Sequence, residues 1–220
     1  MSDRGLFIVF EGGDRVGKST QVRALASALE LSKIDHVVTY EPGDSVVGTQ
    51  IRKLLLSPAS DLDDRCEALL YAADKAQHVA RVIRPALAGG KIVVCDRYVD
   101  SMLAYQGAGR LIDTDELAQI ADWATGGLRA DLTVLLDVDP AQAVSKGLDL
   151  DRLELAGADF HARVREALLA RAQGDPGRYL VLPGLTSVRG TAASIRELVG
   201  TMLGRELSVP ELYEPGERRG

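Results

Sequence analysis

Five short apolar runs, Leu6 to Phe10, His36 to Tyr40, Lys91 to Asp96, Leu132 to Val138 and Tyr179 to Leu182, alternate with longer stretches of helical periodicity. Strands alternating with helices predict a parallel sheet covered on both faces. Ile92-Val93-Val94-Cys95 is apolar at every position, as a central parallel strand must be. Val22, Leu25, Ala26 and Leu29 share one helical face, and Val47, Ile51, Leu54 and Leu55 share another between Val46 and Leu56. Asp61 is the expected cap of a long helix that passes through Leu69, Leu70, Ala73, Gln77, Val79 and Ile83 and closes at Ala88-Gly89-Gly90. Further helices are expected over Ser101 to Ala108, from Asp113 or Thr114 to Ala124, after Asp139-Pro140, over Asp159 to Ala172, and over Thr191 to Leu207. No repeat or linker divides the chain, so one domain is expected over 1–220, with a charged irregular stretch before Gly157 and a frayed tail from about residue 208.

Composition narrows the function without naming it. Of 220 residues, 46% are hydrophobic and 26% charged, which suits one globular domain with a sizeable core. The net charge is −6 with no basic block, which argues against a nucleic-acid polymer as partner, although a mononucleotide needs only a few local arginines. Cys66 and Cys95 are too few for a disulfide framework and are expected as reduced core or near-core thiols; no Cys/His cluster has zinc spacing. The first residues lead directly into a strand, and no apolar run is long enough to cross a bilayer. A soluble, cytoplasmic protein with no membrane partner is therefore expected.

The chemistry begins at Gly12-Gly13-Asp14-Arg15-Val16-Gly17-Lys18-Ser19, which fits G-x-x-x-x-G-K-S, is followed by Thr20, and stands between a strand and a helix. Glycines let successive backbone N–H groups turn inward around an anion, and the helix directs its positive end at it. Lys18 is then placed to reach the outer phosphates of ATP, and the Ser19 hydroxyl to ligate Mg²⁺. A plain glycine turn is the alternative, and the filled positions in this context weigh against it. Asp96-Arg97-Tyr98 closes the third run, at the strand end where ligands of open α/β sheets gather. Asp96 there is a candidate to hold Mg²⁺, and Arg97 to brace phosphate oxygens. The structural alternative is an ion pair closing the strand.

With those residues in place, a wider pattern resembles the thymidylate kinase family. It comprises Glu41-Pro42-Gly43, Leu70-Tyr71-Ala72-Ala73-Asp74-Lys75-Ala76-Gln77-His78-Val79, Ile83-Arg84-Pro85-Ala86-Leu87, Asp96-Arg97-Tyr98 with Ser101 and Ala104-Tyr105-Gln106-Gly107, Asp151-Arg152-Leu153-Glu154, and Phe160-His161 with Val164-Arg165. The resemblance implies a P-loop nucleoside-monophosphate-kinase fold, a homodimer, and Mg²⁺-dependent transfer of the ATP γ-phosphoryl group to dTMP. It places Tyr71 against the base, Arg52 and Arg97 on the acceptor phosphate, and Asp14 near the sugar 3′-hydroxyl. Ser101 falls beside the base and Tyr105 where a 2′-hydroxyl would clash, with Glu41, Lys75 and Gln106 in the same acceptor site. Read from the residues alone, Tyr71 and Tyr105 are core aromatics.

Phosphoryl transfer relies on cations around the migrating group. The segment Val144 to Arg152, within an expected lid over about 144–157, is poor in basic residues. Arg15 is therefore the expected transition-state cation beside Lys18, with Arg152 as helper on the ATP side; alternatively Arg15 merely balances Asp14. Three positions depart from the family pattern: Tyr40 where arginine is usual, Asp44-Ser45 for a small residue and Thr, and Lys75 where arginine commonly reads the base. A lysine loses the planar fork, and a carboxylate at Asp44 disfavours a dianionic acceptor unless it faces away. A second reading therefore keeps the ATP site and changes the acceptor to a modified pyrimidine nucleotide or a hydroxylated, cationic metabolite such as an aminoglycoside. A third, a nucleotide switch, is weakened because guanine switches need N-K-x-D and this chain has no asparagine.

Overall fold

The computed structural model describes residues 4–142 and 151–212. The first half of the expected lid, residues 144–150, the helix expected after Asp139-Pro140 from residue 143 on, and the tail from Tyr213 lie outside the described residues. Five strands form one parallel sheet: β1 (Phe7–Gly12), β2 (His36–Tyr40), β3 (Ile92–Asp96), β4 (Leu132–Asp137) and β5 (Tyr179–Pro183), in the order β2-β3-β1-β4-β5. β1 runs past Phe10, the expected end, because Glu11 and Gly12 continue the ladder opposite Leu135 and Leu136.

Alternation along β1 divides the core. Ile8 and Phe10 meet α1 (Lys18–Leu31) and α8 (Val188–Leu203) through Val22, Leu25, Leu29, Ile195 and Val199. Phe7 and Val9 face the other way, among Val79, Ile83, Val93 and Tyr98. A third cluster joins α2 (Val46–Leu56), α3 (Asp64–His78), α6 (Thr114–Thr125) and α7 (Ala158–Gly174) through Leu55, Ala72, Leu117, Phe160 and Leu168. The phosphate loop is thus fixed at the carboxyl end of a strand with no exposed residue.

Several boundaries differ from expectation for local reasons. Asp63 caps α3 instead of Asp61, accepting from the Arg65 N–H at 2.9 Å. The long helix widens into a π turn over Val79–Ile83 before α4 (Arg84–Ala88), where Pro85 has no N–H to continue the ladder. The next helix starts early, as α5 (Val99–Met102), and widens over Leu103–Gly109. α8 ends at Gly204, whose φ of 65° closes the helix by N–H bonds to Gly200 and Thr201. Cys66 is exposed, contrary to the near-core expectation, because it lies opposite the α3 face that buries Glu67, Tyr71 and Lys75. Cys95 is buried as expected.

The wide turn is locked by contact with α7: a methyl group on Gly109 would sit 2.5–3.0 Å from three carbons of the Phe160 ring. Alanine ordinarily gains up to about 1 kcal/mol over glycine inside a helix, but overpacking a buried ring costs more. Gly109→Ala should destabilise the protein by about 1–3 kcal/mol in chemical denaturation. A neutral or stabilised variant would show that Phe160 yields freely.

Candidate active site

Gly12 leaves β1 at φ 140°, and any β-carbon there would meet the Leu136 carbonyl oxygen at 2.5 Å, so only glycine lets the loop leave the sheet. Gly17 (φ 101°) turns the chain into α1. Val16 anchors the loop in the core, and Gly13, Asp14 and Arg15 complete it. Lys18 is buried, and its Nζ donates to the carbonyls of Gly12 (3.1 Å) and Gly13 (2.5 Å). Burial, reinforced by the nearby Arg97 charge, pulls its ammonium down to about 8.

A cleft of about 410 Å³ opens here, lined by Asp14, Arg15, Gly17, Lys18, Ser19, Arg52, Asp96 and Arg97 among others. Asp96 Oδ1 is buried and has no hydrogen-bond partner among the described residues. A buried carboxylate oxygen without a donor, beside Ser19, suits a hard cation that takes its remaining ligands from phosphates and water. The donor set therefore fits Mg²⁺ held by Ser19 and Asp96. Among the described residues, no group of three or more His, Cys, Asp or Glu side chains is gathered to hold a metal without such help.

Arg97, at φ 68°, stands between this cleft and a second cavity. Its Nη1 donates to Gly12 O and Ser101 Oγ, both at 3.1 Å, its Nη2 pairs with Asp14, and its guanidinium lies 4.9 Å from the Tyr105 ring centroid. Tyr105 donates its hydroxyl to Asp14 Oδ2 at 3.1 Å. Burial alone would raise the Asp14 carboxyl; Arg97, Lys18 and the Tyr105 hydroxyl bring it below the usual carboxylate range.

The second cavity, about 110 Å³, brings together Asp14, Glu41, Arg52, Tyr71, Lys75, Arg97, Ser101, Tyr105 and Gln106, nine residues expected at the acceptor. Arg52 donates to Pro42 O at 2.7 Å and lies 5.6 Å from the Tyr40 ring, so the tyrosine in place of arginine supports Arg52 by cation–π contact. Asp44 lines neither cavity; its carboxylate accepts from Thr39 Oγ1 at 2.5 Å. Lys75 is fully buried and paired with Glu41, whose other oxygen lies 2.8 Å from His78 Nδ1.

The two arginines expected at the migrating group, Arg15 in the loop and Arg152 beside the lid, have different partners. Arg15, at φ 60°, keeps to the loop and donates Nε to Glu154 Oε1 at 2.9 Å. Arg152 lines neither the cleft nor the acceptor cavity. It pairs with the buried Glu67, a carboxylate that needs cations in place of water, and its Nε donates to Leu55 O at 3.1 Å. Glu11, Glu67 and His78 also support the site, although no motif marked them for it. Glu11 accepts from Tyr98 N (2.9 Å), Ser101 N (3.1 Å) and Ser101 Oγ (2.5 Å), holding the segment that carries Arg97. A glutamate inside an otherwise apolar strand was its one sequence signal.

A phosphate loop at the carboxyl ends of a parallel sheet, facing a separate arginine-lined acceptor cavity across one cleft, defines a P-loop kinase of the nucleoside-monophosphate type. The family model for thymidylate kinase matches residues 10–195. The chain is 54% identical over 202 residues to the thymidylate kinase of Cutibacterium acnes, covering 91% of this chain and 99% of that one. It is 50% identical over 197 residues to that of Clavibacter michiganensis, covering 87% and 93%. A solved structure, the thymidylate kinase of Ehrlichia chaffeensis, superposes with a TM-score of 0.74 at 31% identity, covering 89% and 98% of the two chains. The chain belongs to the thymidylate kinase family. Among the described residues no helix is long and apolar enough to cross a membrane.

Behind the acceptor cavity, Asp74 is fully buried; Oδ1 accepts from Gly43 N at 3.1 Å, and Oδ2 has no partner among the described residues. Burial first, then Glu41, pushes its carboxyl up to about 6. The folded protein therefore binds this proton more tightly than the unfolded chain, so its contribution is full below about pH 4 and is lost as pH rises through about 6. Asp74→Asn should raise stability at pH 7 by about 1–2 kcal/mol, with the gain in melting temperature over wild type growing from pH 5 to pH 7. A gain that stays constant across that range would show that Asp74 does not titrate there.

Proposed function

We propose that the chain transfers the γ-phosphoryl group of ATP, with Mg²⁺, to dTMP, giving dTDP and ADP. The observation that carries this reading is the position of Arg97, which touches the phosphate loop at Gly12 O and lines both the cleft and the acceptor cavity. An acceptor phosphate oxygen attacks the γ-phosphorus, the bond to the β–γ bridging oxygen breaks, and ADP leaves with that oxygen. Such a transfer asks little covalent chemistry of the protein, which contributes position and charge. Backbone N–H groups of Gly13 to Thr20 cradle the triphosphate, and Lys18 exchanges its two carbonyl partners for phosphate oxygens. Ser19 and Asp96 hold the metal, which when bound neutralises charge on the phosphate oxygens.

Arg52 and Arg97 grip the acceptor phosphate, and Tyr71 offers its ring to the base. The Asp14–Tyr105 contact fills the space where a ribose 2′-hydroxyl would stand. A changed acceptor draws no support: the feature that motivated it, the Asp44 carboxylate, turns to Thr39 and leaves the acceptor cavity without that extra charge. We read the chain further as one kinase domain that works as a cytoplasmic homodimer. Val47 and Leu54 on α2 and Leu69 on α3 are 48–56% exposed and support a helix-faced interface.

Purified protein with ATP and Mg²⁺ should form ADP with dTMP far above background, and well above an aminoglycoside or purine monophosphates. ADP formation no higher than background would overturn the reading. Arg15 lines the cleft beside Lys18, as Arg152 does not, so on exchanging Glu154 for phosphate oxygens it stabilises the migrating group. Arg15→Ala should lower kcat by about a hundredfold; an unchanged kcat would remove Arg15 from that role.

A further inference from the structure

We propose that Glu67 determines which end of the Gln106 side-chain amide meets the acceptor, and so makes the cavity select a pyrimidine that donates an N–H at that edge. The inference deepens the dTMP reading and rests on it. Gln106 lines the acceptor cavity and is 1% exposed, so its amide exchanges little with water. A primary amide has a donor end and an acceptor end of almost equal shape, and its neighbours decide which faces where.

Here the neighbour is Glu67, fully buried, whose Oε1 accepts from Gln106 Nε2 at 2.8 Å. Its other contacts are cationic. Arg110 donates Nε to Oε1 at 3.4 Å and Nη2 to Oε2 at 3.2 Å, and Arg152 pairs with Oε2. A carboxylate facing two guanidinium groups turns acceptor oxygens to every neighbour. Turning the amide over would set its carbonyl against that carboxylate, two acceptors with nothing between them in a site closed to water.

The supports are themselves fixed. Arg110 lies 5.0 Å from the Phe160 ring and reaches Asp64 at 3.5 Å, and Arg152 donates to Leu55 O at 3.1 Å. Glu67 stands one helical turn before Tyr71 on α3, so the same helix supplies the stacking ring and orients the amide beside it. The carbonyl of Gln106 is thereby directed at the base. It accepts from the imide N3–H of a 2,4-dioxopyrimidine such as thymine, and meets only a lone pair at N3 of a cytosine. Glu67 is a positioning residue acting through Gln106.

The test compares dTMP with 5-methyl-dCMP, which keeps the methyl group and changes only the hydrogen-bonding edge. Wild type should show kcat/KM for dTMP at least about a hundredfold above that for 5-methyl-dCMP. Glu67→Gln lets both amides present either end, so the ratio should fall about tenfold or more. The loss should lie in KM for dTMP, with kcat and KM for ATP held within about twofold, a split that general loosening of the fold would not produce. Glu67→Asp keeps the charge between Arg110 and Arg152 but draws the oxygen back from Gln106; a fall in the ratio is expected here too, and this variant decides the matter if Glu67→Gln does not fold. A folded variant with the wild-type ratio overturns the proposal, as does a wild type that handles both nucleotides alike. Wild type inactive on dTMP would overturn the dTMP reading itself, which separates the two failures.

Discussion

A buried carboxylate is costly unless donors and cations replace its water, and the acceptor cavity is built on three of them. Glu11, Glu41 and Glu67 are 0%, 3% and 0% exposed. Glu11 gathers the N–H groups of Tyr98 and Ser101 and the Ser101 hydroxyl, which sets the turn carrying Arg97. Glu41 holds Lys75 and lies against His78, fixing α3 to the end of β2. Glu67 draws Gln106, Arg110 and Arg152 together. Each carboxylate is satisfied only when segments far apart in the chain arrive together, so the cavity walls form jointly or not at all.

The charge balance around the loop follows the same logic. Lys18 is buried and Arg97 partly buried, both within reach of Asp14, and the arginine sits on the Tyr105 ring while Tyr105 binds the aspartate. Fixed dipoles and charges of this kind need no rearrangement when a polyanion arrives, which is the property phosphoryl transfer draws on. Lys18 keeps its ammonium beside two carbonyls, partners that phosphate oxygens readily replace.

The three departures from the family pattern form one coherent set. Tyr40 supports Arg52 from the side, so the guanidinium keeps a partner where another arginine would have repelled it. Lys75 places its single charge on Glu41 and 5.8 Å from the Tyr98 ring, which a planar fork aimed at the base could not also do. Asp44 joins Thr39, whose hydroxyl is also 2.6 Å from His78 Nε2.

Local patterns were legible in the chain because they depend on neighbours in sequence. Strand alternation, the Gly12 to Ser19 loop and the Asp113 cap each arise within a few residues, and β2, α2 and the end of β3 stand where periodicity put them. The acceptor residues were legible by family resemblance, and the fold gathers them in one cavity. The roles of Glu67, His78 and Arg152 were not legible, since each is defined by a partner 37 to 85 residues away. Burial gives those partners their strength, because only where water is excluded does one carboxylate decide the direction of an arginine or an amide. The sequence by itself determined the fold class and the triphosphate chemistry, through short-range sterics and hydrophobic periodicity. Only the tertiary structure decided that Asp44 turns to Thr39, that Arg152 serves Glu67 and that Arg15 reaches Glu154, because these outcomes depend on which partners the fold brings within reach.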